Sequence, residues 1–423
     1  MFMKMLSSVL TITLLIGSHA FCVTQTIQID AAANRYSGTF SADVAMAPTG
    51  EFVVVWCNGN PASGNIHGHR YDSTGNPIGN SFAISAVDYS YKPRIAMASS
   101  GEFIVVWHRI DYDNPLSDDV ATIHARRYNA QATALGPEFR VDTNEPTVSL
   151  PSYLARFPDV SMNDDGAFVV VWSNCTGPGG HSIVDYHIHG RAYNSSGVAY
   201  GSEFRISNLA HTDMPCSTID ADGDFIVCWE HHGDANHLPY DSYLNTRHYN
   251  ADGTPKNDPT QISPAIISPG ATYFRIAMNE DGDYGVVWHR YDAEDIQCRQ
   301  FASSGAASTS AFKLIGIAHH YYLSGFCMKA DGRFIVSWLE MTDAGENVYA
   351  AWFNQNGDQR TMVTRISTPL NEAQASYGMA INENNQAVLI WEKAEADGYH
   401  LIGTLNPTFV NMPTSTLDWR RYQ

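Results

Sequence analysis

The sequence predicts an all-β protein, a seven-bladed β-propeller built from four-stranded antiparallel blades. Three observations predict it. A short apolar run ending in Trp occurs seven times, at Trp56, Trp107, Trp172, Trp229, Trp288, Trp338 and Trp391. A second apolar run and a turn rich in Gly, Asp, Asn and Ser precede each copy. A third and a fourth strand-like run follow most copies.

The Trp run reads as a strand. In Phe52-Val53-Val54-Val55-Trp56 the residues on both faces are apolar, so both faces need cover. The run is too short for a helix, and its β-branched residues favour the extended chain. Before it come Val44-Ala45-Met46, Ile95-Ala96-Met97, Val160-Ser161-Met162, Ile276-Ala277-Met278 and Met379-Ala380-Ile381. Turns such as Asn163-Asp164-Asp165-Gly166 join the two strands into a hairpin, with Gly supplying a positive φ. After the Trp and a polar connection, a third strand ends in Tyr71, Tyr128 or Tyr193. A fourth follows at Phe82-Ala83-Ile84-Ser85, Phe139-Arg140-Val141-Asp142 and Phe204-Arg205-Ile206-Ser207. The polar residues of these units drift towards the C-terminus while the apolar ones persist, as a scaffold repeat would allow.

A chain of 423 residues would ordinarily suggest two or three domains. The repeat replaces that expectation with one propeller domain over residues 24–412, since each unit can bury its faces only against a neighbour. Residues 1–20 read as a signal peptide. Lys4 supplies the charge, Leu6 to Gly17 the apolar stretch, and Ser18-His19-Ala20 the small-x-small cleavage site. Cleavage near Ala20 would leave a secreted or periplasmic protein, and the apolar stretch is too short to span a membrane. Residues 413–423 read as a C-terminal tail. Thr24 to Asp30 fits the fourth-strand pattern and would complete the last blade; Thr408 to Met412 is a rival for that slot. Closure by either removes an open sheet edge.

The net charge of −19, with no basic stripe, argues against a nucleic-acid partner. The expected partner is a glycan or an extracellular protein, met by a monomer. Among the seven Cys, Cys216 and Cys228 flank one hairpin turn and are candidates for a disulfide if the turn centres on Asp222.

The candidate ligand-binding residues lie just after the Trp strands: His108, Arg109, Glu230, His231, His232, His289, Arg290 and Tyr291. Arg and His there could grip carboxylate or sulfate, and Tyr could stack on a sugar ring. His67/His69 and His187/His189 are spaced to share a strand face. However, His67, His124 and His189 fall at one repeat position, which points to a shared structural slot, so no metal or other cofactor is assigned. Asp220, Asp222 and Asp224 alternate as in Ca²⁺ loops, but no Glu closes the pattern and a hairpin turn explains them better. No Gly-x-Ser-x-Gly, His-Glu-x-x-His or phosphate loop occurs, and no catalytic residue is assigned.

The pattern Asp-Gly-x-Phe-Val-Val-x-Trp, then Arg-Tyr-Asp/Asn-x-x-Gly, then Phe-x-Val/Ile-Ser resembles tandem repeats of large secreted bacterial proteins. It is carried best by Asn163 to Trp172, Arg127 to Asn129 and Phe204 to Ser207. The resemblance implies a bacterial surface or secreted propeller without a defined activity. The turn-plus-Trp unit is similar in part to the Asp-box of sialidases. Here the Trp lies further from the Gly and the leading Ser is absent, so no sialidase residue is carried over. The expectation from sequence is an exported, non-enzymatic, lectin-like binding propeller. The alternatives are an extracellular polysaccharide-active hydrolase or lyase with its site over the central channel, and a structural surface protein. A pocket fed by polar residues from several blades would favour the enzyme.

Overall fold

A computed structural model describes residues 25–29, 42–58, 64–111, 120–143, 152–177, 185–209, 211–232, 241–264, 266–267, 273–290, 293–316, 320–342, 345–367, 373–395, 398–407 and 409. The signal-like start, the 413–423 tail, Tyr291 and most of the 408–412 segment lie outside them.

The described chain is all strand and turn. The first four-stranded sheet is β2 (Ala42–Met46), β3 (Phe52–Asn58), β4 (Asn65–Tyr71) and β5 (Pro77–Ala83). Next come β6 (Ser90–Met97), β7 (Phe103–Asp111), β8 (Val120–Tyr128) and β9 (Phe139–Arg140). Then follow β10 (Ser152–Met162), β11 (Phe168–Gly177), β12 (Asp185–Tyr193) and β13 (Phe204–Arg205). After these are β14 (Thr212–Ile219), β15 (Phe225–His232), β16 (Asp241–Tyr249) and β17 (Thr260–Gln261), with the short β18 (Ile266–Ile267) also on β16. The next group is β19 (Phe274–Met278), β20 (Tyr284–Arg290), β21 (Asp295–Phe301) and β22 (Phe312–Gly316). Then come β23 (His320–Met328), β24 (Phe334–Thr342), β25 (Gly345–Phe353) and β26 (Thr364–Arg365). The last group is β27 (Ala373–Ile381), β28 (Ala387–Glu395) and β29 (Gly398–Leu405). Its fourth member is β1 (Gln25–Gln28), which pairs antiparallel with β29 from Gln25↔Leu405 to Gln28↔Ile402. Short pairings also link neighbouring sheets, parallel at Tyr153↔Val120 and antiparallel at Glu346↔Ala373.

Two-sided apolar strands explain the core. It is divided into layers, each between two consecutive sheets. Val53 and Val55 of β3 meet Phe103 and Trp107 of β7 in one layer. Val169 and Val171 meet Phe225 and Trp229 in another. Phe52, Val54 and Trp56 of the first sheet pack on Val388 and Ile390 of the last, together with Ile27. All seven repeat Trp residues are at most 4% exposed. The first strands of successive sheets also touch: β2 with β6, β6 with β10, β10 with β14, β14 with β19, β19 with β23, β23 with β27, and β27 with β2.

Repeated side chains hold the layers in register. Phe at the start of the Trp strand stacks on Tyr at the end of the third strand, as in Phe168–Tyr193 at 4.6 Å and 11°. His67, His124 and His189 lie about 6 Å from Trp56, Trp107 and Trp172, ring centroid to ring centroid, so this repeat position is a stacking slot. Third-strand arginines bolt the second to fifth sheets each to the one before. Arg126, Arg191, Arg247 and Arg299 donate from Nη1 to the carbonyls of Ile84, Val141, Ile206 and Ile262, each immediately after a fourth strand. In the first sheet Tyr71 Oη does the same to Ile29 O at 3.1 Å, immediately after β1. Ile29 N also bonds Leu401 O, as Ile84 N bonds Ile66 O.

The hairpin turns match expectation. Gly166 has φ +87°, and Asn163 Oδ1 accepts from Ala167 N at 2.9 Å. The acidic turn is built the same way: Asp220 Oδ1 accepts from Asp224 N, and Asp224 pairs with Lys256. The register also puts Cys216 opposite Cys228. That is the register the candidate disulfide requires; in this structure the two are free thiols packed in the apolar layer between the fourth and fifth sheets.

Trp107→Ala and Trp172→Ala should each destabilise the fold by about 3–5 kcal/mol in urea unfolding, since a fully buried indole leaves a large cavity. A loss below about 1 kcal/mol would contradict their place in the core.

Candidate active site

The first strands of the sheets surround a cavity of about 310 Å³. Its walls are set by one repeat position, opposite the residue that precedes each Trp. The occupants are Asp43, Arg94, Asp159, Cys216, Arg275, Gly325 and Gly378, all of which line the cavity. Charged side chains from four sheets thus meet in one space. The two glycines leave room for them. A Cβ on Gly378 would stand 2.8 Å from Asp43 Oδ1.

Three of the strands carry a bulge just before that position. Lys92, Phe157 and Met214 have φ of +51°, +50° and +52°, and each precedes a Pro. The register shifts at the same places, between Tyr91/Arg94, Arg156/Asp159 and Asp213/Cys216. Proline removes a ladder donor, and the bulge re-aims the preceding side chain. All three side chains line the cavity. Left-handed backbone at a bulky residue such as Phe157 costs about 1–3 kcal/mol, a cost that clusters at functional sites. Lys92 Nζ lies 4.1 Å from the centre of the Phe157 ring.

The two carboxyls are held alike. Asp43 accepts from its neighbour Val44 N at 2.9 Å and from Ile95 N of the next sheet at 3.1 Å. Asp159 accepts from Ser217 N of the next sheet at 2.8 Å and from Ser217 Oγ at 3.2 Å. Its other oxygen lies 4.0 Å from Arg94 Nε, with the two side chains 31% and 21% exposed. Burial pushes both carboxyls above the ordinary aspartate value, against the pull of Arg94; the Asp159 charge adds to the rise at Asp43. Burial, then repulsion by Arg94, lowers the Arg275 guanidinium. Desolvation, then Arg94, brings the Lys92 ammonium down to about 8. Tyr273, edge-on to Tyr322 at 4.7 Å, adds an aromatic wall.

The described residues singled out after the Trp strands are placed elsewhere, and none of them lines the cavity. His108 is buried and tilted against Tyr91. Arg109 lies 3.6 Å from Glu138. Glu230 is fully buried 3.8 Å from His232, whose Nδ1 also meets Ser242 Oγ. His231 packs on Tyr243, His289 is buried, and Arg290 forks onto Asp295 at 3.1 and 3.2 Å. Only Glu230, His231 and His232 come together, and they are consecutive. Among the described residues no group of three or more His, Cys, Asp or Glu is placed to hold a metal ion. No described helix is long and apolar enough to cross a membrane.

No family model matches the chain, and no curated protein is similar to it. Solved structures are. A puromycin hydrolase matches with a TM-score of 0.54 at 13% identity, over 90% of this chain and 55% of that one. The chain therefore spans about half the length of that hydrolase. The β-propeller domain of the Trilobed protease from Pyrococcus furiosus matches at 0.49 and 9%, over 90% and 98% of the two chains. An α-L-arabinanase of Penicillium chrysogenum complexed with arabinobiose matches at 0.49 and 11%, over 90% and 97%. Four-stranded antiparallel sheets packed layer on layer, with their first strands around one cavity, have the fold of a β-propeller. The expectation of a non-enzymatic, lectin-like module is corrected here. Polar groups of four of this chain's own sheets meet in one pocket.

Two buried histidines give the fold an acid limit. Burial, then Lys92 and Arg156, lowers His108 to about 3; burial, then Arg109 and Arg140, does the same to His124. Between the ordinary 6.5 and about 3 the unfolded chain takes up protons that the folded chain refuses. Stability is therefore lost as pH falls through that window. His108→Asn should flatten the pH dependence of unfolding free energy around pH 5 by roughly 1.4 kcal/mol per pH unit. An unchanged slope would contradict the buried neutral imidazole.

Proposed function

We propose that this protein is a hydrolase acting on a glycan, with its site in the axial cavity. One observation carries the reading: Asp43 and Asp159 face the same cavity as Lys92, Arg94 and Arg275, from four separate first strands. Glycoside hydrolysis needs two carboxyls in different protonation states on either side of the scissile bond. The groups around them support a division of roles. Asp43, pushed up by burial and further by the Asp159 charge, is assigned as the group that donates to the leaving oxygen. Asp159, facing Arg94 and Ser217, is the carboxylate that acts on the anomeric carbon or on water. Phe157 and Tyr273 offer faces for a sugar ring. The arabinanase among the similar structures is consistent with such a substrate class.

The scaffold of this reading is a seven-bladed ring in which β1 supplies the outer strand of the last blade. The β1–β29 pairing, the shared apolar layer of the first and last sheets, and the Tyr71–Ile29 bond support it. The signal-like start would place the enzyme outside the cytoplasm.

Asp43→Asn and Asp159→Asn should each lower the release of reducing ends from a cleaved polysaccharide by at least about 100-fold, with circular dichroism reporting that each variant is folded. Activity within a few-fold of wild type in both variants would overturn the assignment. Deleting residues 24–30 should expose the edge of β29, lower the thermal midpoint by about 5 °C or more and promote association. An unaltered midpoint would argue against closure by β1.

A further inference from the structure

The cavity's charge is opposite in sign to that of the chain. Three basic side chains, Lys92, Arg94 and Arg275, line it against two carboxyls, Asp43 and Asp159. The chain as a whole carries −19. The cations are also not fully matched one to one. Arg94 lies beside Asp159, whereas Arg275 donates from Nη1 to a carbonyl, Phe274 O at 2.8 Å, and Lys92 sits over a ring. Arg94 repels both of the others and Arg156 adds to the repulsion at Lys92, against attraction from Asp213 at Lys92 and from Asp159 and Asp43 at Arg275. Like charges gathered in a half-buried space destabilise a fold unless an anion joins them. The bulge at Lys92-Pro93 spends backbone strain on directing one of those charges into the cavity.

From this arrangement we infer that the glycan bound in the axial cavity is acidic, its carboxylate held by Lys92 and Arg275 while Phe157 packs against the sugar ring. The inference rests on the hydrolase reading for the site but not for the turnover. Arg275 offers a planar fork suited to a carboxylate, and Lys92 a point charge at the cavity's more exposed side. Arg94 stays with Asp159.

The test is calorimetric binding at low salt with paired probes that differ only in charge. One pair is oligogalacturonate and its methyl ester; the other is sialyllactose and its carboxyl methyl ester. In at least one pair the acidic probe should bind about tenfold tighter or more, as a desolvated charge contact requires. The pair that responds tells uronate from sialate. Lys92→Gln, at a side chain in contact with solvent, should remove most of that preference and leave the neutral probe unaffected. Arg275→Gln should do the same, with circular dichroism reporting its fold. Equal binding of acidic and neutral probes, no binding of either acid, or full acidic preference in both variants would overturn the inference. Acid-selective binding without cleavage would leave it standing and overturn the hydrolase reading. Cleavage of neutral glycans alone would do the reverse.

Discussion

A strand that is apolar on both faces cannot end at one layer of cover, and this constraint organises the molecule. Val53 and Val55 demand one neighbour, Phe52, Val54 and Trp56 another. Each sheet inherits the same demand, so sheets stack face to face until the last shares a layer with the first. The repeat Trp is the largest piece of that burial. The stacked Phe–Tyr pairs and third-strand arginines align the sheets, so that equivalent positions stand at equivalent heights along the axis.

That alignment turns a repeat into a site. When the first strands are held at one height, any residue placed opposite the position before the Trp faces the axis. Sequence divergence at that single position then writes the chemistry. Asp in two sheets, Arg in two, Cys in one and Gly in two make an asymmetric polar ring from a symmetric scaffold. Each Asp also accepts from a backbone N–H of the following sheet, so the groups proposed to act are fixed by the framework that they help to hold together. The bulges of three adjacent sheets, each followed by a Pro, add a second tier, which carries Lys92, Phe157 and Met214.

The scaffold was legible because its signals are local and repeated: Gly in the turns, β-branched runs, a terminal Trp. The shared structural slot of His67, His124 and His189 is legible for the same reason. The site was not. The triplets Val44-Ala45-Met46, Ile95-Ala96-Met97 and Ile276-Ala277-Met278 mark strands by their apolar pattern, and nothing local distinguishes the charge immediately before each, Asp43, Arg94 and Arg275. Only superposed register shows that these residues share an axis. The dipeptides Lys92-Pro93, Phe157-Pro158 and Met214-Pro215 were a further signal, since Pro within an inner strand marks a bulge. Polar residues next to the Trp drew attention instead, yet in His108, Glu230 and His289 polarity accompanies burial within the second strands rather than exposure in loops.

The central claim is that the chemistry sits on the axis. The most direct measurement is a crystal structure of the Asp43→Asn protein soaked with an oligosaccharide that the wild type cleaves. The account predicts a sugar ring in the axial cavity, against Phe157 and between residue 43 and Asp159. An oligosaccharide seated at Arg109, His231 and Arg290, with the axial cavity free of sugar, would contradict it.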